Sequence, residues 1–500
     1  MTEQWDIREE KLYTRLLWLS IIASILIFFW GIWSIPFLSH NEGRRGQVVQ
    51  EMLANKDWLI PTLNGEVYVS KPPLFYWIAG LFALLFHSTA EWVMRLPSAL
   101  SALGVTWIMF DRVKKYIGRW PALFSAIILL TSATFTKRAR VAEIEMLLTL
   151  CCTLVMIFFW DYLKKPEGRK SLLLCYACLG LAFLVKGPVA LVFFVPPLLL
   201  LWLIQRDRNI LKGLGYLPGW LILAILAAPW FLYIYSLGDG SMAAVVKRDI
   251  SERTFWGGER DPFYQYLGDA LLNFLPWTLA MVWQTKSRVK SIVANYDTAL
   301  MGAWLVAPLI IMSFFGTKHG KYILPLYPVA AVVLATWTVS LGSVLESRFP
   351  LKAHSIVSGL VVCLLTGWFV FYSVIEPRVY RHGFVSLDAL VEKVEQIRGD
   401  APVYSYGDPE PRLIYYFKKP LPVVNDEDID RILKQRQPLL IVAESKTDDW
   451  GALDGSPSFC LVEEFKDYIK KRQTARLYGT LRFCRSKITA VSKTTNEQTK

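Results

Sequence analysis

The chain has 500 residues, 54% of them hydrophobic and 14% aromatic, with a mean hydropathy of +0.34 and a formal net charge of +13. This composition excludes an ordinary soluble domain, because the apolar residues come in long runs and not in amphipathic stripes. The positive charge does not require nucleic acid: many basic residues fall in short loops between apolar runs, as in the cytoplasmic loops of a membrane protein, and others suit anionic lipid headgroups or phosphates.

A helix that crosses the hydrocarbon core needs roughly 20 mostly apolar residues. In chain order, candidate spans lie near 16–38, 93–110, 120–136, 143–160, 171–186, 189–204, 215–236, 265–284, 296–315, 322–343 and 354–375. The first begins after Arg15, is too long for a signal-peptide core and lacks a small-residue cleavage site, so it is expected to remain as a span. Five connections are basic: Asp111–Arg119, Asp161–Lys170, Gln205–Lys212, Thr285–Lys290 and Ser343–His354. They occupy every second connection, which places them in the cytoplasm together with the N-terminus. Residues 39–92, 137–142, 187–188, 237–264, 316–321 and everything after 376 then fall on the outer side.

Residues 74–87 are apolar but too few to cross. They read as an interfacial or re-entrant helix, although a short span missed elsewhere would also repair the parity. The expected fold is an α-helical polytopic membrane protein with about 11–13 transmembrane helices. Residues 1–376 form the membrane domain, with the external loop 39–92 carrying the site. Residues 377–486 alternate a helical pattern with short apolar strands separated by Pro, Gly and Asp, which predicts a small extracytoplasmic α/β domain. Residues 487–500 are a polar tail expected to be disordered.

Cys151, Cys152, Cys175, Cys178 and Cys363 fall in or beside apolar runs and read as packing residues, whereas Cys460 and Cys484 can pair if their domain lies outside the cytoplasm. There is no metal-ligand spacing and no Asp-x-Asp motif, so no cofactor is assigned, with a divalent metal left open.

Ionisable residues at membrane depth are costly and usually face a cavity. Here they collect on the outer side. His40-Asn41-Glu42-Gly43-Arg44-Arg45-Gly46 follows the first span and leads to Tyr68-Val69-Ser70-Lys71-Pro72-Pro73. Further on, Lys137 to Met146 carries Arg140 and Glu145 at the mouth of an apolar helix, where the helix dipole tolerates a carboxylate. Lys186-Gly187-Pro188, Lys247–Pro262 and Thr317–Tyr322 complete the set. Blander readings exist for each: a solvated loop, an Arg140–Glu145 pair, a snorkelling Lys186. Together they put cations and carboxylates beside a long apolar wall. Carboxylates can deprotonate an acceptor, Lys and Arg can stabilise a leaving phosphate, and an apolar groove can hold a lipid tail.

The pattern Asn-Glu-x-Arg-Arg, then Glu-Met-Leu…Asp-Trp, then Lys-Pro-Pro-Leu-x-Tyr-Trp resembles the bacterial protein O-mannosyltransferase and aminoarabinose (lipid A) transferase family of GT-C glycosyltransferases. The resemblance continues at 91–100, 140–149, 180–188, 228–230, 262–277 and 321–328 and covers roughly residues 16–345. It implies a polyprenyl-phosphate sugar donor, an inverting transfer and an envelope acceptor: lipid A, protein or another glycan. The family's acidic pair usually begins with a catalytic Asp; Asn41 stands there, beside Glu42. The second acidic position is Glu145, five residues after Arg140. An Asn cannot act as a base, so Glu42, foremost, or Glu145 is expected to take that part. The resemblance also implies that Lys71 contacts the donor phosphate, supported by Tyr68, Arg44, Arg45 and Arg140, with Arg253, Lys318 and Lys321 as weaker candidates.

The leading expectation is therefore a glycosyltransferase of the bacterial inner membrane. A lipid or solute transporter would instead show broken helices in corresponding halves, and no such symmetry is seen. A non-catalytic lipid-binding scaffold is the third reading, prompted by Asn41.

Overall fold

A computed structural model of the chain describes residues 2–237, 261–283, 295–348, 353–383, 387–434, 440–445, 453, 457–466 and 474–484. It contains two compact units. Met1–Ile32, Trp58–Ile60 and Tyr68–Val374 form the first; Trp33–Asp57, Pro61–Val67 and Ile375–Lys500 form the second. The composition change near residue 377 thus has a structural counterpart at Ile375, while parts of the first long connection group with the C-terminal residues.

The first unit is a helix bundle. Among the described residues, eight helices are long and apolar enough to cross a membrane. Leu74–Phe86 (α3) and Arg119–Leu130 (α5) are shorter apolar helices. The predicted span 265–284 is a short helix, Gln265–Asn273, followed by a 3-10 turn at Trp277–Trp283. The 37-residue stretch Arg169–Gln205 covers two predicted spans. It consists of α8 (Arg169–Lys186), a 3-10 segment (Gly187–Phe193) and α9 (Val195–Gln205). The rings of Tyr176 and Phe194 lie 5.7 Å apart. Eighteen residues of straight helix would separate them by roughly 27 Å, so the chain turns back at Gly187-Pro188.

Ion pairs and hydrogen bonds gather three of the basic connections, 111–119, 161–170 and 205–212, at one end of the bundle; Thr285–Lys290 lies outside the described residues. Arg119 meets Glu9 at 3.0 Å, near the start of α1 (Thr2–Phe29). Arg112, near the end of α4 (Glu91–Tyr116), meets Asp161 at 3.1 Å. Lys164, at the end of α7 (Ile144–Lys164), meets Asp297 at 2.6 Å, and Tyr296 donates to Asp207 at 2.9 Å. At the opposite end Arg95 donates to the Ile32 carbonyl at 2.7 Å and Ser98 to the Glu143 carbonyl at 3.1 Å.

Because α1 and α4 each join the two ends, α3 adds no net crossing. Its start packs with Val69, Leu184, Trp230 and Ile234, and its end brings Phe86 to 5.0 Å from Trp92. Thirteen residues of helix span only about 20 Å.

Small residues set the closest helix contacts, as in membrane bundles generally. A Cβ on Gly219 of α11 (Leu217–Ser236) would stand 2.2 Å from the Tyr176 ring of α8.

The second unit is built on a five-stranded sheet of order β4-β3-β5-β7-β6. The strands are β3 (Val403–Tyr406), β4 (Val423–Val424), β5 (Leu440–Ser445), β6 (Phe459–Lys466) and β7 (Thr474–Thr480). β3 pairs in parallel with β4 and β5, whereas β7 is antiparallel to β5 and β6. Side chains alternate across a strand. Leu440 and Val442 therefore join one core, with Leu387, Leu390, Val391 and Val394 of the helix Leu387–Arg398. Ile441 and Ala443 join the other, with Ile429 and Ile432 of the helix Asp426–Lys434. Cys460 and Cys484 form a disulfide.

The helix α2 (His40–Asn55) completes this unit. It packs on the short helix Pro411–Phe417, with Phe37 4.5 Å from Tyr415 between ring centroids.

Candidate active site

The apolar helix α7 begins inside the bundle end opposite the basic connections, and its first turn carries the acidic residues. Glu143 precedes the helix and Glu145 lies in its first turn, where the free N–H groups favour negative charge. Both side chains are almost entirely buried, and three cations surround them. Lys186 reaches Glu145 at 3.4 Å, Lys321 stands 3.7 Å from Glu143 and 3.9 Å from Glu145, and Arg138 bonds Glu143 at 2.7 Å. The side chain of Lys186 is 7% exposed, with its ammonium 4.7 Å from the centre of the Tyr322 ring.

Lys186 is therefore no snorkelling residue. The reversal at Gly187-Pro188 ends α8 beside the start of α7, so its ammonium meets a carboxylate and an aromatic face before it can reach water. Cations and carboxylates thus meet in a poorly solvated place, where the ammonium groups can receive an anionic ligand such as a phosphate.

An apolar cavity adjoins the cluster. Leu148, Val189, Phe193, Met312, Phe315, Thr317 and Tyr322 line it together with Lys186. It couples a cation to an apolar wall, the two halves of a phosphorylated lipid.

The other predicted residues fall in several places. Arg140 donates to the carbonyls of Ile27 at 2.6 Å, Trp30 at 2.8 Å and Tyr372 at 3.2 Å, and its guanidinium lies 5.0 Å from the Tyr372 ring centre. Lys318 donates to the Asp261 and Phe315 carbonyls at 2.9 and 2.8 Å. Both cations thus fasten main chain at the ends of helices. Tyr68 and Lys71 flank Val69, which is buried against Leu184 and Trp230. Arg253 lies outside the described residues.

Asn41, Glu42, Arg44 and Arg45 belong to the second unit, in the first turns of α2. There Glu42 serves as a reciprocal helix cap: Ser39 Oγ accepts from its N–H at 3.2 Å, and its Oε2 accepts from the Leu38 N–H at 2.8 Å. Glu42 is fully buried, and Asn41 is half-buried beside it. Sequence reasoning passed over Glu143, Lys186 and Tyr322 as members of one group, since 41 residues separate Lys186 from Glu145. Among the described residues no group of three or more His, Cys, Asp or Glu is placed to hold a metal ion.

Also in the second unit, His40 Nδ1 lies 3.0 Å from Glu410, and Arg412 Nε bonds the same carboxylate at 2.7 Å. Burial works to raise the Glu410 pKa, but these bonds outweigh it and hold the group below its ordinary 4.5. A depressed carboxylate stabilises the fold above its unfolded pKa, and that contribution disappears as pH falls through the folded value. Glu410→Gln is therefore expected to cost about 1.5–3 kcal/mol near pH 7, with the difference closing below pH ~4. Thermal melts of both proteins across that range check it; a pH-independent gap would show that charge is not the cause.

Comparison with known proteins gives this geometry its context. The sequence profile of the dolichyl-phosphate-mannose-protein mannosyltransferases matches residues 70–233. An uncharacterized protein of Aquifex aeolicus is 25% identical over 469 residues, 86% of this chain and 91% of that one. The undecaprenyl phosphate-α-4-amino-4-deoxy-L-arabinose arabinosyl transferase of Aeromonas hydrophila is 26% identical over 356 residues, covering 66% of this chain and 61% of that enzyme. The crystal structure of ArnT from Cupriavidus metallidurans bound to undecaprenyl phosphate superposes with a TM-score of 0.77 at 19% identity, over 93% of this chain and 98% of that one.

The chain is a glycosyltransferase. The glycosyltransferase resembles the aminoarabinose and protein O-mannosyl transferases, and its matched segment, 70–233, contains Lys71, Glu145 and Lys186. Its described helices make it a multi-pass membrane protein.

Proposed function

We propose that this glycosyltransferase moves a sugar from a polyprenyl phosphate to an acceptor at the extracytoplasmic face of the bacterial inner membrane, in a single inverting displacement. The observation that carries the reading is the buried Lys186–Glu145–Lys321–Glu143 cluster beside an apolar cavity. The acceptor hydroxyl oxygen attacks the anomeric carbon, the bond to the phosphate oxygen breaks, polyprenyl phosphate leaves with the bonding pair, and the acceptor's proton passes to Glu145. Lys186 and Lys321 meet the charge that grows on that phosphate. Lys71 and Tyr68 are further donor contacts.

Glu145 is the carboxylate assigned to the acceptor. From beside Lys186 and Lys321 it orients the acceptor hydroxyl and takes its proton as the new bond forms. Glu42, as a cap, determines where Asn41 stands. The sidedness draws support from two features. Three of the basic connections, 111–119, 161–170 and 205–212, share the bundle end with the start of the N-terminal helix, as cytoplasmic loops do, and the Cys460–Cys484 bond suits an oxidising compartment for the C-terminal unit. The acceptor is an envelope component: lipid A, a protein hydroxyl or another glycan.

Mass spectrometry of envelope lipids and glycans tests this in a deletion strain complemented with wild type, Glu145→Gln or Lys71→Ala. A glycosylated species that returns only with wild type supports the reading, and its mass identifies the sugar. Restoration by both variants would remove these residues from the site, and an unchanged glycan profile would remove the transferase reading.

A further inference from the structure

We infer that a clamp inside the helix bundle positions Lys321 for the lipid phosphate, with Asp261 and Lys318 as its positioning residues; this rests on the transfer reaction proposed above. The clamp acts on the loop that joins the helix Tyr296–Ser313 to the 3-10 segment Gly320–Leu326. That loop has two faces. Phe315 and Thr317 line the apolar cavity. Gly316 and Lys318 meet the segment that follows Asp261 instead. The Asp261 N–H donates to the Gly316 carbonyl at 3.1 Å, and Asp261 Oδ2 accepts from the Lys318 N–H at 2.6 Å. Lys318 Nζ returns the contact, donating to the Asp261 carbonyl at 2.9 Å and to the Phe315 carbonyl at 2.8 Å. Gln265 Nε2 adds a bond to the Lys318 carbonyl at 3.2 Å, and the rings of Phe263 and Phe314 stand 5.3 Å apart.

The clamped loop runs directly into the charged cluster. The Tyr322 N–H donates to the His319 carbonyl at 2.8 Å, within the turn that carries Lys321 and Tyr322. Lys321 stands 3.7 Å from Glu143 and 3.9 Å from Glu145. The Tyr322 ring lies 4.7 Å from the Lys186 ammonium and also lines the cavity. Asp261 and Lys318 thus reach the cluster through the main chain between Lys318 and Lys321.

Two physical arguments make this more than packing. Lys318 is 4% exposed, and burying an ammonium is costly even when its donors are satisfied. Its bonds end on main-chain carbonyls of two separate segments, so what the cation supplies is a fixed distance between them. The second argument concerns register. Lys186 is placed by the regular helix α8, whereas Lys321 follows an irregular loop and sits in a 3-10 turn, whose hydrogen bonds are weaker than an α-helix's. Two ammonium groups within 4 Å of Glu145 can receive one phosphate together only if their separation holds. The helix fixes one of them, and the clamp fixes the other.

Binding of undecaprenyl phosphate to the full-length purified chain tests the clamp through a double-mutant cycle. Lys318→Met and Asp261→Ala are each expected to raise Kd about tenfold, the scale of one weakened charge-assisted hydrogen bond. Lys321→Ala should raise it at least as much. In the Lys321→Ala background, Lys318→Met should cost less than about threefold more, because a residue acting through Lys321 then has nothing left to position. Asp261→Asn keeps an oxygen for the Lys318 N–H and should restore most of the affinity. Deuterium exchange should quicken across residues 314–322 and stay unchanged across 144–186. Should Lys318→Met fail to fold, Gln265→Ala takes its place in the cycle, since its bond ends on the Lys318 carbonyl. Additive losses would make Lys318 a direct phosphate contact and overturn the positioning role, as would unchanged affinity in the clamp variants. A wild-type chain that does not bind undecaprenyl phosphate overturns the transfer reading and this role with it.

Discussion

Lys186→Ala is expected to lower kcat by about 10²- to 10³-fold, the usual cost of removing one preorganised group that meets developing charge. The reason lies in the burial of the cluster. With Lys186 gone, Glu145 keeps Lys321 at 3.9 Å but loses the ammonium at 3.4 Å. The ammonium that would receive a departing phosphate disappears from a place where little water can replace it. Because that charge grows as the glycosidic bond breaks, kcat should fall more than donor KM rises. Lys186→Arg should retain part of the activity, since it keeps the charge but not the compact ammonium. Initial rates with an undecaprenyl-phosphate sugar and purified protein decide it, with a melting curve as control for folding. A Lys186→Ala enzyme within threefold of wild type would place the phosphate elsewhere.

Gly43→Ala is expected to have the largest effect on stability for the smallest change in mass. The added Cβ would stand 2.5 Å from Arg412 Cγ, 2.6 Å from Arg412 N and 2.7 Å from Arg412 Cα. A side chain can swing away, but two of those atoms are main chain, so α2 itself must shift. Overpacking of this kind costs about 1–3 kcal/mol, and more when the backbone must move. Against it stands only the helix preference of Ala over Gly, up to about 1 kcal/mol. Gly302→Ala is the control, since nothing lies within 4 Å of the Cβ it would add. It should be neutral or slightly stabilising. Thermal melts and limited proteolysis of residues 33–57 measure both, and equal stability of the two variants would refute the close approach.

Part of this was legible residue by residue. The apolar runs announced most of the helices because a run's length against the bilayer is a local property. The basic connections announced which loops belong together because charge in a loop needs no partner to be read. The alternation in 387–398 and 440–445 announced the α/β unit in the same way. Glu145 stood out as a carboxylate entering an apolar helix. Its partners did not. Lys186 looked like a turn residue, and nothing in the local pattern showed that the Arg140 guanidinium bonds three carbonyls.

By itself, then, the sequence determined that this is a multi-helix membrane protein with a small α/β addition, and its motifs pointed to the kind of transferase. Helix formation and burial in lipid follow from short-range composition. Only the tertiary structure decided which charges meet. Lys186 and Glu145 are joined by the turn at Gly187-Pro188 and by the packing of α7 on α8. Leu38 and Arg412, 374 residues apart, are joined by two glycines that let one helix touch another. Such pairings depend on how helices rotate and approach in space, and a side chain's neighbours there are set by backbone geometry that no local pattern encodes.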